Sequence, residues 1–171
     1  MKHTISVLVE NQFGVLARVS GLFSGRGFNI ESLTVATTNV EGVSRMTIVT
    51  RGSDQIIEQI NKQLNKLIDV IKVIDLTAEG NYVERELILV KVKATAKGRE
   101  EILRITEIFR GKTIDVSAES YTIEVTGSED KLEAFIQMLT PYGIKELVRT
   151  GKVAISRGAK GVMVKGHGIE V

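Results

Sequence analysis

The chain has 171 residues, 43% of them hydrophobic and 26% charged, a balance that suits one folded domain or two small ones. A net charge of +2 and 5% aromatic residues with no Trp supply neither the basic face nor the stacking platforms of a nucleic-acid binder. The absence of cysteine excludes disulfides, thiolate nucleophiles and Cys-rich zinc sites. No apolar run approaches the ~20 residues that span a bilayer. MKHTISVLVE at the N-terminus patterns as a strand, unlike a secretory signal. A cytoplasmic protein without membrane contact is expected.

Ile5, Val7 and Val9 alternate, which predicts a strand over residues 3 to 9. Val15, Leu16, Val19, Leu22 and Phe23 have helical spacing, and Gly25 and Gly27 end that helix. Residues 28 to 38, rich in Ile, Val and Thr, read as a second strand. TNVEG makes a hairpin loop into a strand over residues 43 to 50. Ser53 is placed to cap a helix carrying Ile56, Ile57, Ile60, Leu64 and Leu67, and residues 70 to 76 close the unit. The order is βαββαβ, an antiparallel sheet with two helices on one face.

The second half repeats this order. A strand over residues 86 to 94 leads to a helix marked by Ile102, Ile105, Ile108 and Phe109, which lie 86 residues after Leu16, Val19, Leu22 and Phe23. Strands over 113 to 118 and 121 to 126, a helix capped by Ser128 with Leu132, Phe135, Ile136 and Leu139, and a strand over 144 to 149 complete it. Such duplication predicts two similar domains. The fold class is therefore α+β, two tandem ferredoxin-like βαββαβ domains over residues 1–77 and 84–157, joined by the polar linker TAEGNYV. Residues 153 to 156 read as one more short strand, and the Gly-rich basic tail 158–171 either as a mobile, solvated end or, with the second domain, as a contact for a partner protein or a ligand such as a nucleotide.

Catalytic signatures are missing. His3 and His167 have no HExxH or His-x-His partner and read as surface histidines. Gly111-Lys112-Thr113 has Thr106 where a phosphate loop needs its first glycine, and it leads into a strand, not a helix. Strand likewise follows Gly25-Arg26-Gly27, so it is no dinucleotide fingerprint. The acid pairs Glu100-Glu101 and Glu129-Asp130 stand at helix starts, where they complement the dipole. An active site, a metal site or a cofactor of this chain's own is not expected.

The turn before the first helix carries the most chemistry. Unpaired N–H groups and the dipole at a helix start attract a carboxylate. Gly14 leaves the amides of Val15 and Leu16 open to approach. Asn11 and Asn29 bring amide oxygens for an ammonium and amide nitrogens for a carboxylate. Val15, Leu16 and Ile30 are apolar. The set suits a zwitterion with a small aliphatic side chain: valine, leucine or isoleucine. NQFG is equally readable as a plain turn. The second repeat, which enters its helix through TAKGRE, shows that the architecture does not require Asn-x-x-Gly there. Phe13 reads as a lid, an oligomer contact or a residue packed on its own helix.

These residues resemble the ACT domain, a βαββαβ module that binds amino acids. VLVENQFGVLARVSGLFSGRGFNIESLTV and SRMTIVT, followed by VERELILVKV, EIFRGKTIDVS, YTIEVTG and SRG at residues 156–158, are similar to the small regulatory subunits of acetolactate synthase (acetohydroxyacid synthase). The resemblance implies a non-catalytic subunit that activates a catalytic large subunit and confers feedback inhibition, usually by valine, on branched-chain amino acid synthesis. Thiamine diphosphate, Mg and FAD would sit in that partner. It implies a homodimer through the ACT domains, with Asn11, Gly14, Val15 and Leu16 of one chain meeting Asn29 and Ile30 of the other around the effector. A free-standing amino-acid sensor and an independent enzyme stay open as other readings of the residues.

Overall fold

A computed structural model of the chain describes residues 1–159, 161–164 and 169–170. It divides into two compact units: residues 1–83 with the described residues from Lys152 onward, and Glu84–Gly151.

In the first unit the order is β1 (Lys2–Glu10), α1 (Val15–Gly25), β2 (Ile30–Thr37), β3 (Val43–Arg51), α2 (Asp54–Leu64) and β4 (Val70–Asp75), then the short α3 (Leu76–Glu79). The sheet order is β2-β3-β1-β4, every pair antiparallel, so β2 is an edge. Ile5, Val7 and Val9 of β1 and Met46 and Ile48 of β3 pack against Val15, Val19, Leu22 and Phe23 of α1 and Ile57, Ile60 and Leu64 of α2. Ser53 caps α2, its Oγ accepting from the Ile56 N–H. Gly27 takes φ +68° past the end of α1 and donates to the Ser24 carbonyl, the left-handed stop that glycine allows.

The second unit follows the same order. It comprises β5 (Tyr82–Lys93, which begins two residues before the boundary), α4 (Arg99–Ile108), β6 (Lys112–Val116), β7 (Ser120–Gly127), α5 (Glu129–Leu139) and β8 (Ile144–Arg149). Its sheet runs β6-β7-β5-β8, which matches the first sheet strand for strand. The predicted α+β class and the two ferredoxin-like repeats are thus present. Gly111, in the rejected phosphate-loop run, has a packing role: a Cβ there would lie 2.8 Å from Val125 Cγ2.

Several expectations need correction. The 86-residue offset fails in burial. It pairs fully buried Ile102 with Leu16, which is 46% exposed, and buried Leu22 with Ile108, which is 68% exposed. The buried stripe of α4 is Ile102, Ile105 and Thr106, so in burial Ile102 and Thr106 correspond to Val15 and Val19 of α1, one residue off the 86-residue offset. Ser128 stands at the N-cap of α5 without a side-chain capping bond, and the Glu84 carboxylate accepts from the Glu129 N–H at 3.4 Å. His3 is no surface residue. The alternation of β1 puts it on the helix-facing side with Ile5, where it is 5% exposed and its Nδ1 lies 3.0 Å from Asp75 Oδ2. His167 lies outside the described residues.

By its contacts the second compact unit runs from Glu84 to Gly151, and the described residues from Lys152 onward group with the first unit. The side of the first sheet away from α1 and α2 is buried: Thr4, Ser6, Leu8, Val43, Thr47 and Val49 are each at most 3% exposed. Residues after Gly151 help to cover it. β9 (Val153–Ser156) follows Lys152, whose N–H donates to Ser32 Oγ at 3.3 Å and whose carbonyl accepts from Thr34 Oγ1. Val162 packs with Leu8, Val40 and Val43. The Arg157 N–H donates to the Asn81 carbonyl at 2.9 Å. β10 (Met163–Val164) pairs antiparallel with β11 (Ile169–Glu170).

Candidate functional site

The entrance to α1 is built from the end of β1. The Glu10 N–H donates to the Asp69 carbonyl at 2.9 Å, and the Asn11 N–H to the Gly42 carbonyl at 2.7 Å. Asn11, Gln12 and Phe13 then turn out into solvent, all exposed. Gly14 is the N-cap with φ +81° and ψ −5°, a left-handed conformation that an L side chain strains. Its carbonyl accepts from the Arg18 N–H at 3.0 Å and opens the helix.

No side chain caps α1, and its first turn holds no acid. α2, α4 and α5 each carry at least one acid there, respectively Asp54, the pair Glu100 and Glu101, and the pair Glu129 and Asp130. The positive end of α1 therefore lacks the local negative charge that the other long helices have. The equivalent place in the second unit is filled from within. Gly98 has φ −107°, the Tyr142 ring lies 3.1 Å from the position of a Gly98 Cβ, and the Arg99 guanidinium donates to the carbonyls of Ala94 and Ala118.

The structure places the six expected site residues as follows. Asn11 is exposed and Gly14 half-buried at the helix entrance. The Val15 side chain is 3% exposed and belongs to the core, and its N–H reaches the Gln12 carbonyl at a long 3.4 Å. Leu16, 46% exposed, presents the apolar surface beside the entrance. Asn29 is exposed at the head of β2, where its carbonyl accepts from Thr50 Oγ1 at 2.6 Å. Ile30 is half-buried against the core.

Within one chain these residues form two groups. Asn11, Gly14 and Leu16 stand at the start of α1, while Asn29 and Ile30 follow its end. Eleven helical residues separate them by about 16 Å along the axis, more than one small amino acid bridges. Phe13 is fully exposed at 101%, so it does not pack on its own helix. Sequence reasoning missed Arg18 and Asp69. Arg18 Nε donates to Asp69 Oδ2 at 2.7 Å, and a Gly14 Cβ would lie 3.0 Å from Arg18 Nη1. No motif marks the pair, because the partners are 51 residues apart.

Residues 5–72 match the family model described as the AHAS small subunit-like ACT domain, and residues 85–158 that of the small subunit of acetolactate synthase. The chain belongs to the acetolactate synthase small-subunit family. A probable acetolactate synthase small subunit of Archaeoglobus fulgidus is 61% identical over 160 residues, 94% of this chain and 99% of that protein. An acetolactate synthase small subunit of Aquifex aeolicus is 57% identical over 157 residues, 91% of this chain and 81% of that protein. The crystal structure of the acetolactate synthase small subunit from Thermotoga maritima superposes with a TM-score of 0.85 at 45% identity, covering 94% of this chain and 99% of that one. Membership in this small-subunit family carries the ACT-type fold of the first unit.

Among the described residues no group of three or more His, Asp or Glu side chains is placed to hold a metal ion. No helix among them is long and apolar enough to cross a membrane.

Proposed function

We propose that this chain is the regulatory subunit of acetolactate synthase, that it activates the catalytic large subunit, and that it confers feedback inhibition by a branched-chain amino acid, valine first. The effector binds where two first units meet. One chain supplies the uncapped entrance of α1 with Asn11, Gly14, the backbone of Val15, and Leu16, and the other supplies Asn29 and Ile30.

The observation that carries this reading is the separation of Gly14 from Asn29 across the length of α1. In a two-fold dimer joined edge to edge through β2, the paired strands run antiparallel, and so do the neighbouring α1 helices. The start of one α1 then faces the end of the other, and the two half-sites of each chain become two whole sites of a dimer. β2 is suited to the pairing. It is an edge strand, and Val35 on it is 43% exposed.

In each site the Leu16 amide and the positive end of α1 receive the carboxylate. The Asn11 and Asn29 side chains bind the ammonium through their oxygens. Leu16 and Ile30 line the aliphatic side chain. No bond is made or broken in this chain. Thiamine diphosphate, Mg and FAD belong to the catalytic partner. Regulation is a linkage: valine favours the inhibited arrangement of the complex, and a coupling of about 1 to 3 kcal/mol suffices.

The test is an acetolactate assay of the catalytic subunit with and without this chain across a valine titration. Activation that valine reverses supports the reading. A rate unchanged by the chain at every valine concentration refutes it.

A further inference from the structure

We infer that the Arg18–Asp69 ion pair is a positioning device for the effector site, holding the Asn11–Gly14 turn in its receptive shape. The inference rests on the reading of that turn as the effector site and adds two residues to it.

Asp69 is tied to both sides of the turn. Its carbonyl accepts from the Glu10 N–H at 2.9 Å, just before the turn. Its carboxylate, with the side chain 9% exposed, accepts from Arg18 Nε at 2.7 Å, just after it. The guanidinium then reaches back over the turn, with Nη2 3.5 Å from the Phe13 carbonyl. Nη1 lies 3.0 Å from where a Gly14 Cβ would stand, so the missing side chain makes room for the guanidinium. The turn between these anchors is otherwise solvent-facing and held by few bonds.

A cation in the first turns of a helix is disfavoured by the dipole. Arg18 sits there all the same, 47% exposed, with a nearly buried carboxylate as its partner. Half-exposed pairs of this kind add little to folding stability. What this pair does is geometric: it fixes the start of α1 to the residue preceding β4. The planar fork of arginine spans Asp69 and the turn together, which a lysine ammonium does not.

The test uses the full chain, calorimetric titration with L-valine and thermal melts. R18Q/D69N removes both partners and so leaves no orphaned carboxylate. Its valine Kd is expected to rise at least tenfold with the melting temperature nearly unchanged. R18K, which keeps the charge and loses the fork, is expected to fall between parent and double variant. Valine affinity within twofold of the parent in the double variant overturns the inference. Should the double variant not fold, R18K decides: a several-fold loss supports the positioning role, and parental affinity overturns it. A parent chain that takes up no valine refutes the reading of the site itself, a different result from parent binding that the variants leave intact.

Discussion

The Lys152 N–H donates to Ser32 Oγ across 3.3 Å, joining residues 120 apart in the chain. Thr34, two residues further along the same edge strand, donates to the Lys152 carbonyl. β2 carries Ile30, a residue of the proposed site, on its helix-facing side and these two anchors on the other, with a bulge between Ile30 and Ser32. The first residue after the second unit is therefore bonded to the strand that carries part of the proposed effector site.

Replacing both anchors, Ser32→Ala with Thr34→Val, removes two hydrogen-bond partners of the Lys152 backbone, a residue 7% exposed. A loss of about 1 to 3 kcal/mol is expected, given ~1 kcal/mol per bond and more for a group left unsatisfied. Urea denaturation measures it. Faster hydrogen exchange at Lys152 to Ser156 should accompany the loss.

Gly14→Asp is expected to abolish the valine response. The new carboxylate takes the place of the ligand's, and the left-handed backbone costs a non-glycine residue about 1–2 kcal/mol. Gly14→Ala separates the two effects, since it keeps the strain and adds no charge. Its valine affinity should lie between those of the parent and Gly14→Asp by calorimetry.

Asn29→Ala should weaken valine binding while leaving the fold intact. The side chain is exposed, and the bond from Thr50 Oγ1 goes to the Asn29 backbone carbonyl, which the substitution keeps. The change in stability should stay within about 0.5 kcal/mol. Unfolding of this variant would assign Asn29 a structural role instead.

Val35→Lys places a charge on the helix-facing side of the β2 edge. By size exclusion the variant should run more as monomer than the parent, and valine binding should fall with it, because the proposed site draws on two chains. Monomers that bind valine with parental affinity would contradict the shared site.

In the second unit, Arg149 bonds to Glu86 at 3.0 Å and to Glu133 at 2.5 Å, and Glu86 is 7% exposed. Burial works against the Arg149 charge, yet its bonds to Glu133 and Glu86 raise its pKa above the ordinary value. Arg149→Met leaves the Glu86 carboxylate buried and unpaired, at an expected cost of about 1 to 3 kcal/mol. In a Glu86→Gln background that cost should shrink, which a double-mutant cycle by denaturation measures.

Much of the fold was legible because its core faces are periodic. Ile5, Val7 and Val9 alternate, and Ile57, Ile60 and Leu64 follow the helical turn, so strand and helix are distinguishable by spacing alone. The far side of the first sheet was not. Its buried residues include Thr4, Ser6 and Thr47, which read as solvent-facing until the segment from Lys152 is seen to lie near them. The repeat offset slipped by one residue on the first helix, where Ile102 corresponds in burial to Val15 and not to Leu16, because the turns that lead into α1 and α4 differ. In the candidate site, Gly14 was legible through its position at a helix start. Arg18 was not, since it reads as one more polar residue on an amphipathic helix until Asp69 is brought against it.

A crystal grown with L-valine tests the shared site most directly. The account predicts valine between two protomers, its carboxylate at the start of one α1 beside Gly14 and its ammonium within hydrogen-bond reach of the partner's Asn29. Valine bound elsewhere, or at Gly14 with no second chain beside it, would contradict the account.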